Sequence, residues 1–152
     1  SGCLLVAKSQ TAFEAMVDVF QKREVRKTYV ALASRRVPHE LRTIRAPVDG
    51  QEAITHLRVE KANSRATLLE LQPETGRTHQ LRRHLASAGH PLIGDKQYET
   101  RAVTDDAARQ APRQMLHASR ISFVEPQTEK KIDVSCPVPA DFALARRALG
   151  LV

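Results

Sequence analysis

The chain has 152 residues, of which 41% are hydrophobic, so it can form one domain with a core of its own. Its net charge of +7 favours an acidic partner such as nucleic acid, although a basic surface that serves only solubility is an alternative. The low aromatic content and the absence of Trp exclude a binder of single strands built on broad stacking platforms.

The predicted elements begin with a buried strand over residues 3–7, a continuously apolar run. Because the chain enters this run without a lead-in, we expect it to be part of a longer protein. A helix follows and ends near Lys22, and a capping box formed by Thr11 and Glu14 marks its start. Further strands are predicted over residues 25–33, 54–61, 66–71, 116–124 and 130–135.

Residues 34–50 and 100–113 show no regular pattern, apart from a helical turn in the second stretch, and residues 141–149 are typical of a short helix. Several strands with few helices between them predict an α+β fold, with a mixed or antiparallel β-sheet and flanking short helices. No linker or repeat divides residues 1–152, so we expect a single domain.

No segment resembles a membrane span or a signal peptide. Cys3 and Cys136 lack the spacing of metal ligands, and we expect both to be buried thiols in a reducing compartment. These observations predict a cytoplasmic protein without a membrane partner, and we expect a monomer.

Residues 75–95 are unusually rich in arginine and histidine for one short helical pattern. Thr78 is the predicted N-cap, and Gly89 stands where a C-terminal glycine belongs. Arg77 and His79 flank the positive end of this helix, a pattern that is typical of a phosphate site. A solvated basic helix face is an equally good interpretation of the pattern.

Arg82 and Arg83 point roughly 100° apart on a helix, so one can face inward while the other faces solvent. Arg82 borders the apolar side marked by Leu81 and Leu85, and an arginine there needs a carboxylate partner. That partner can belong to a reaction site or to a purely structural ion pair. Tyr29 lies in a basic strand and can stack on a base or relay a proton, unless it is an ordinary strand aromatic.

The three histidines of this segment are His79, His84 and His90. Their spacing matches neither a HExxH site nor a Cys/His finger, and no acidic residue stands among them. We therefore expect no metal, and a metal-dependent nuclease is a weaker alternative.

Residues 76–98, GRTHQLRRHLASAGHPLIGDKQY, resemble the segment that marks the RluA-type RNA pseudouridine synthases. Three other pieces resemble motifs of that family in the expected order: SGCLLVAKS at 1–9, RKTYVAL at 26–32, and LHASRISFVEP with CPVPADF at 136–142. The resemblance covers essentially the whole chain and implies the catalytic domain of such an enzyme.

This resemblance implies conversion of a uridine in structured ribosomal or transfer RNA to pseudouridine, without metal or cofactor, on a base flipped out of its stack. It assigns catalytic roles to Tyr29 and Arg82 and a pocket-lining role to Leu81. The neighbouring residues expected to contact RNA are Arg77, Thr78, His79, Gln80 and Arg83.

The family's catalytic aspartate lies in a HRLDxxTSG pattern, whose serine matches Ser1. We expect it upstream of Ser1, paired with Arg82, and we expect residues 1–152 alone to be inactive. None of the acidic residues present has the matching context, and we interpret Asp95 as structural. A catalytically inactive RNA-binding module is the alternative function.

Overall fold

The computed structural model describes residues 1–99 and 105–152 and has the predicted α+β fold. The helices are α1 Gln10–Gln21, α2 Gln80–Ser87, α3 Asp106–Arg109 and α4 Ala140–Ala148. The strands are β1 Arg26–Ser34, β2 Thr43–Arg45, β3 Ile54–Ala62, β4 Ala66–Pro73, β5 Leu116–Val124 and β6 Lys131–Ser135. None of the helices within the described ranges is long and apolar enough to cross a membrane.

The six strands form one sheet in the order β2-β3-β4-β1-β5-β6, and every neighbouring pair is antiparallel. The prediction of a mixed or antiparallel sheet therefore resolves to the antiparallel form. β1 lies in the middle, between β4 and β5, so its side chains reach both faces of the sheet. Its pairing with β5 contains a bulge between Thr28 and Tyr29.

Two hydrophobic cores cover opposite faces of this sheet, because successive strand residues point to opposite sides. On β1, Leu32 belongs to the core that Phe142 of α4 completes, whereas Ala31 and Ala33 belong to the core that Leu85 of α2 completes. α1 packs against the end of the sheet through a smaller third cluster.

The predicted buried strand over residues 3–7 is wrong. Gly2 forms a single parallel bridge to Ala118, and Leu4 and Val6 beyond it are exposed. β5 already pairs with β1 on one side and, from Arg120 onward, with β6 on the other. Residues 3–7 therefore have no sheet edge to join, which a continuous apolar run by itself cannot reveal.

Other local predictions need smaller corrections. Cys3 and Cys136 are half-buried, not buried. Ser9 caps α1 by accepting a hydrogen bond from the Ala12 backbone, so the capping box at Thr11 does not form. Within the irregular stretches the structure contains the short strand β2 and, as expected, one helical turn, α3; residues 100–104 of that loop lie outside the described residues.

The contrast between Phe142 and Leu144 on α4 tests the core assignment. Phe142 is 1% exposed, whereas Leu144 is 64% exposed on the same helix. We expect Phe142→Ala to lower the free energy of unfolding by about 3–5 kcal/mol, because the cavity cannot collapse fully. Leu144→Ala should change it by less than about 0.5 kcal/mol. Urea denaturation measures both, and equal losses would contradict the packing of α4.

Candidate active site

An open cleft with a volume of about 310 Å³ lies where β1, the β4–α2 loop, α2 and the start of β5 meet. The sequence-predicted site residues that line it are Tyr29, Arg77, His79, Gln80, Leu81 and Arg82. Three stretches of the chain that are far apart in sequence thus place an aromatic ring, an apolar side chain and cationic groups around one space. Thr78 and Arg83 do not line this cleft.

Tyr29 reaches the cleft from the middle of the sheet, at the bulge between β1 and β5. The extra residue of this bulge is Ser119 of β5, so the alternation of side chains along β1 is undisturbed. Burial raises the pKa of Tyr29 above its ordinary value, so the phenol is protonated at neutral pH. A neutral ring with one open side is suited to stacking and to exchanging a hydrogen bond.

Arg82 is held by a carboxylate within the described chain, Asp95. Its Nε donates to Asp95 Oδ2 at 2.7 Å and its Nη2 donates to Oδ1 at 2.6 Å. The Arg82 side chain is 13% exposed and that of Asp95 is fully buried. The bidentate geometry fixes the plane of the guanidinium as well as its position.

The environment of Asp95 favours its charged form. Burial by itself would raise the pKa of this carboxyl, but hydrogen bonds from the Arg82 side chain and the Tyr98 backbone outweigh it and hold the pKa below its usual range. The same bond raises the pKa of Arg82. Both partners therefore stay ionised near neutral pH.

The ring of Tyr98 packs against the Arg82 guanidinium. The guanidinium carbon lies 4.9 Å from the centre of the Tyr98 ring, a cation–π distance. The Tyr98 hydroxyl is 3.2 Å from His79 Nδ1. Arg82 Nη2 also donates to Gln97 Oε1 at 3.2 Å.

These contacts revise the sequence-based interpretation of Arg82. Its structural ion pair is with Asp95, and this pair uses Nε and Nη2, so both atoms are already engaged. Nη1 makes no hydrogen bond to any residue in the described ranges. A second carboxylate can therefore approach Arg82 only at this remaining edge.

Gln80 holds the β4–α2 loop from inside the protein. Its side-chain oxygen accepts hydrogen bonds from the Thr75 hydroxyl at 2.7 Å and the Arg77 backbone at 3.0 Å. Its side-chain nitrogen donates to Ile54 O at 2.9 Å and Thr55 Oγ1 at 3.0 Å. Every polar atom of this buried side chain is used, so we revise Gln80 from a substrate contact to a residue that positions the loop.

The predicted N-cap of α2 is wrong. His79, in the left-handed region at φ 54°, occupies that place, and no side chain caps the helix. The Gln80 backbone N–H donates to Arg77 O at 3.0 Å, and the Gln80 side-chain oxygen accepts from the Arg77 backbone N–H, so the turn before the helix closes without a Thr78 cap. Thr78 is exposed beside the cleft. At the other end of α2, Gly89 follows the helix with a positive φ, as predicted.

The three histidines do not converge. His84 is buried between Thr55 Oγ1 and Ala46 O, at 2.9 Å from each, and His90 Nδ1 lies 3.2 Å from Ser34 O. Across residues 1–99 and 105–152 no group of three or more His, Cys, Asp or Glu side chains is arranged to hold a metal ion.

The arginines beside Arg82 divide into two kinds. Arg83 pairs with Asp49 at 2.8 Å outside the cleft, which leaves less of its charge for a phosphate. Arg77 donates Nε to the Glu52 backbone oxygen at 3.1 Å and lines the cleft. Arg77 therefore remains the better phosphate-binding candidate.

Sequence reasoning did not assign six of the residues that line the cleft: Lys27, Pro73, Thr75, Gly76, Gln114 and Leu116. Lys27 had a usable signal, because it precedes Tyr29 by two residues on one strand and so shares its face. Gln114 and Leu116 had no such signal in the sequence. No carboxylate is among the residues found to line the cleft within the described ranges.

Comparisons with known proteins agree with this geometry. The family model described as RNA pseudouridylate synthase matches residues 1–87. An uncharacterized RNA pseudouridine synthase of Bacillus subtilis is 36% identical over 157 residues, which cover 93% of this chain and 50% of that protein. Ribosomal large subunit pseudouridine synthase C of Vibrio cholerae is 34% identical, over 92% of this chain and 49% of that protein.

The solved structure of human RNA pseudouridylate synthase domain containing 1 superposes with a TM-score of 0.71 at 28% identity, covering 88% of this chain and 63% of that one. The chain spans about half the length of the curated relatives it matches. The matched family model, the relatives and the shared fold carry one conclusion: the chain belongs to the RNA pseudouridylate synthase family, of the RluA type.

Proposed function

We propose that the protein to which this chain belongs isomerises uridine to pseudouridine in structured RNA, with ribosomal RNA as the first candidate substrate. The observation that carries this proposal is the cleft that combines Tyr29, Leu81 and Arg82 beneath a basic rim. Its volume is in the range of small-molecule sites, and a nucleobase enters it only after leaving its stack. We place this activity in the cytoplasm, and transfer RNA is the second substrate to test.

In this mechanism Tyr29 packs against the flipped base and takes part in proton removal from carbon 5. Leu81 provides an apolar wall, which keeps water away from the separated base and sugar. The N-glycosidic bond breaks, the base turns, and a new bond joins the sugar to carbon 5. The proton that leaves carbon 5 balances the one gained at the released nitrogen, so no redox partner or metal is needed.

The nucleophile or base of the reaction is an aspartate upstream of Ser1. The bridge from Gly2 to Ala118 supports this placement, because it is parallel. Any preceding residues that extend the same pairing run along β5 towards Leu116 and Gln114, which line the cleft. A carboxylate arriving there meets the open edge of Arg82, whose positive charge keeps it ionised.

A catalytically inactive RNA-binding module is the second candidate, because the described cleft lining holds a basic rim and no carboxylate. The two candidates differ in one sequence feature, an aspartate in the residues that precede Ser1 in the full-length protein. A natural protein without it would favour the binding module.

The direct test uses full-length protein and RNA transcripts labelled with tritium at carbon 5 of uridine. We expect tritium release from ribosomal RNA, and residues 1–152 expressed alone should release none. The shorter chain must first be shown to be folded by its thermal unfolding curve. No release by the full-length protein from ribosomal or transfer RNA would contradict the proposed activity.

Variants of Arg82 and Asp95 distinguish a catalytic role of the Arg82 charge from its role in stabilising the fold. Arg82→Ala should abolish turnover, but it also leaves the buried Asp95 charge without its cationic partner, which costs about 3–5 kcal/mol of stability. The double variant Arg82→Gln with Asp95→Asn restores a neutral hydrogen-bonded pair, so it should recover much of that stability and remain inactive. Tritium release and urea denaturation are measured on both, with Arg83→Gln as the control. Activity in a stable double variant would rule out a catalytic charge on Arg82.

The pKa of Asp95 makes a prediction about acid stability. Because this pKa is lower in the folded chain than the ordinary value, about 3.9, the ionised pair stabilises the fold fully above that value. The contribution is lost as the pH falls through the lower folded pKa. We expect the unfolding free energies of the wild type and Asp95→Asn to differ most at pH 6–7 and to converge below about pH 4. A gap that widened on acidification would contradict the assignment.

A further inference from the structure

Lys27 is a half-buried cation at the cleft that, unlike Arg82 and Arg23, has no carboxylate partner among the described residues. Arg82 pairs with Asp95, and Arg23 bonds both Glu52 at 3.1 Å and Glu74 at 2.9 Å. The Lys27 ammonium lies 5.9 Å from the centre of the Phe20 ring, a cation–π distance. Burial lowers the pKa of Lys27, with no compensating anion.

An exposed lysine without a partner is solvated and needs no explanation, but a half-buried one keeps its charge at a cost. Lys27 comes from the same face of β1 as Tyr29, two residues before it, and both side chains line the cleft. A cation held there without a partner among the described residues is a binding group for an anion from outside this part of the chain.

The surroundings of Lys27 suggest which anion it binds. A second cleft, about 440 Å³ in volume, lies on its other side, and the two clefts share Lys27, Thr75, Gly76 and Arg77. Glu74 lines the second cleft, but Arg23 and His56 hold its carboxylate. Lys27 and Arg77 therefore mark a passage that leads away from Tyr29 and whose free charge is positive.

Gly76 gives an independent reason to regard this passage as a binding surface. Its φ is not in the positive region, so the backbone at this position does not require glycine. A Cβ there would lie 3.6 Å from Lys27 Nζ. The absence of a side chain leaves the ammonium accessible, while Gln80 fixes the loop that carries Gly76.

We propose that Lys27, left accessible by Gly76, is a phosphate subsite that binds a backbone phosphodiester of the RNA strand next to the nucleotide held at Tyr29. Arg77 contacts the same stretch of strand at the mouth of the passage. The phosphodiester neutralises the lysine, and the lysine in turn fixes how far the strand enters the cleft. This inference rests on the proposed function, since it takes RNA as the ligand.

The experiment measures binding of full-length protein to a labelled RNA hairpin with a uridine-rich loop, by fluorescence anisotropy over a series of salt concentrations. Lys27→Gln should weaken binding about tenfold at low salt and reduce the slope of log affinity against log salt by about 0.7–0.9, the share of one phosphate contact. Lys27→Arg should keep the slope of the wild type. Lys130→Gln, on the exposed turn before β6, is the matched control and should change neither quantity.

Two further variants distinguish the accessibility of the Lys27 ammonium from its charge. Gly76→Val keeps the charge of Lys27 but covers it, and should weaken binding to a similar degree. The double variant Gly76→Val with Lys27→Gln should be no weaker than either single variant, because both remove one contact. Hairpins in which single loop phosphates are replaced by neutral methylphosphonates locate that contact: one replacement should weaken the wild type and leave Lys27→Gln unaffected.

The outcomes distinguish this inference from the function on which it rests. If the wild type binds the hairpin but Lys27→Gln, shown to be folded by thermal unfolding, keeps its affinity and salt slope, the subsite is wrong and the proposed function stands. Additive losses in the double variant would likewise overturn it. If the full-length wild type binds neither this hairpin nor ribosomal RNA, the proposed function falls and the subsite falls with it.

Discussion

The candidate active site depends on the buried ion pair between Arg82 and Asp95. Two charges removed from water are stable only when each satisfies the other with good geometry, and here two short parallel hydrogen bonds do so. The pair ties α2 to the loop that follows Gly94, and that loop in turn brings Tyr98 over the guanidinium. The direction of the one uncommitted edge of Arg82 is therefore set by Asp95.

The central position of β1 is the second constraint. Because β4 and β5 flank it, β1 is a rigid element from which Tyr29 and Lys27 project into the cleft. Residues on strands are held more firmly than residues on loops, which suits the stacking role that we propose for Tyr29. The loop residues Arg77 and His79 lie at the rim instead, where the RNA contact that we propose needs adaptability more than rigidity.

The sequence predicted much of the fold because its signals are local. β3, β4 and β5 follow alternation or apolar runs bounded by turn residues, and all three lie where expected. β2 was missed because a strand of three residues is too short to show an alternating pattern. Residues 3–7 were assigned wrongly because apolar content does not show whether a sheet edge is free. Such an edge depends on the pairing of β5 with β6, more than a hundred residues away.

The site was less predictable for the same reason. The motif resemblance identified Tyr29, Leu81 and Arg82, but the pairing of Arg82 with Asp95 arises from a tertiary approach that spacing does not encode. The role of Gln80 was likewise hidden, because a glutamine in a basic motif is equally typical of a surface contact. Lys27 was within reach of sequence reasoning, since two-residue spacing on a strand places it beside Tyr29.

The interior anchoring by Gln80 has a consequence for how such proteins diverge. Its four hydrogen bonds fix the backbone of the β4–α2 loop from the core side, without using the side chains of Arg77, Thr78 or His79. The outward side chains can therefore be exchanged while the cleft beneath them keeps its shape. Within one fold, the choice of RNA can change at the rim while the chemistry at the centre is inherited intact.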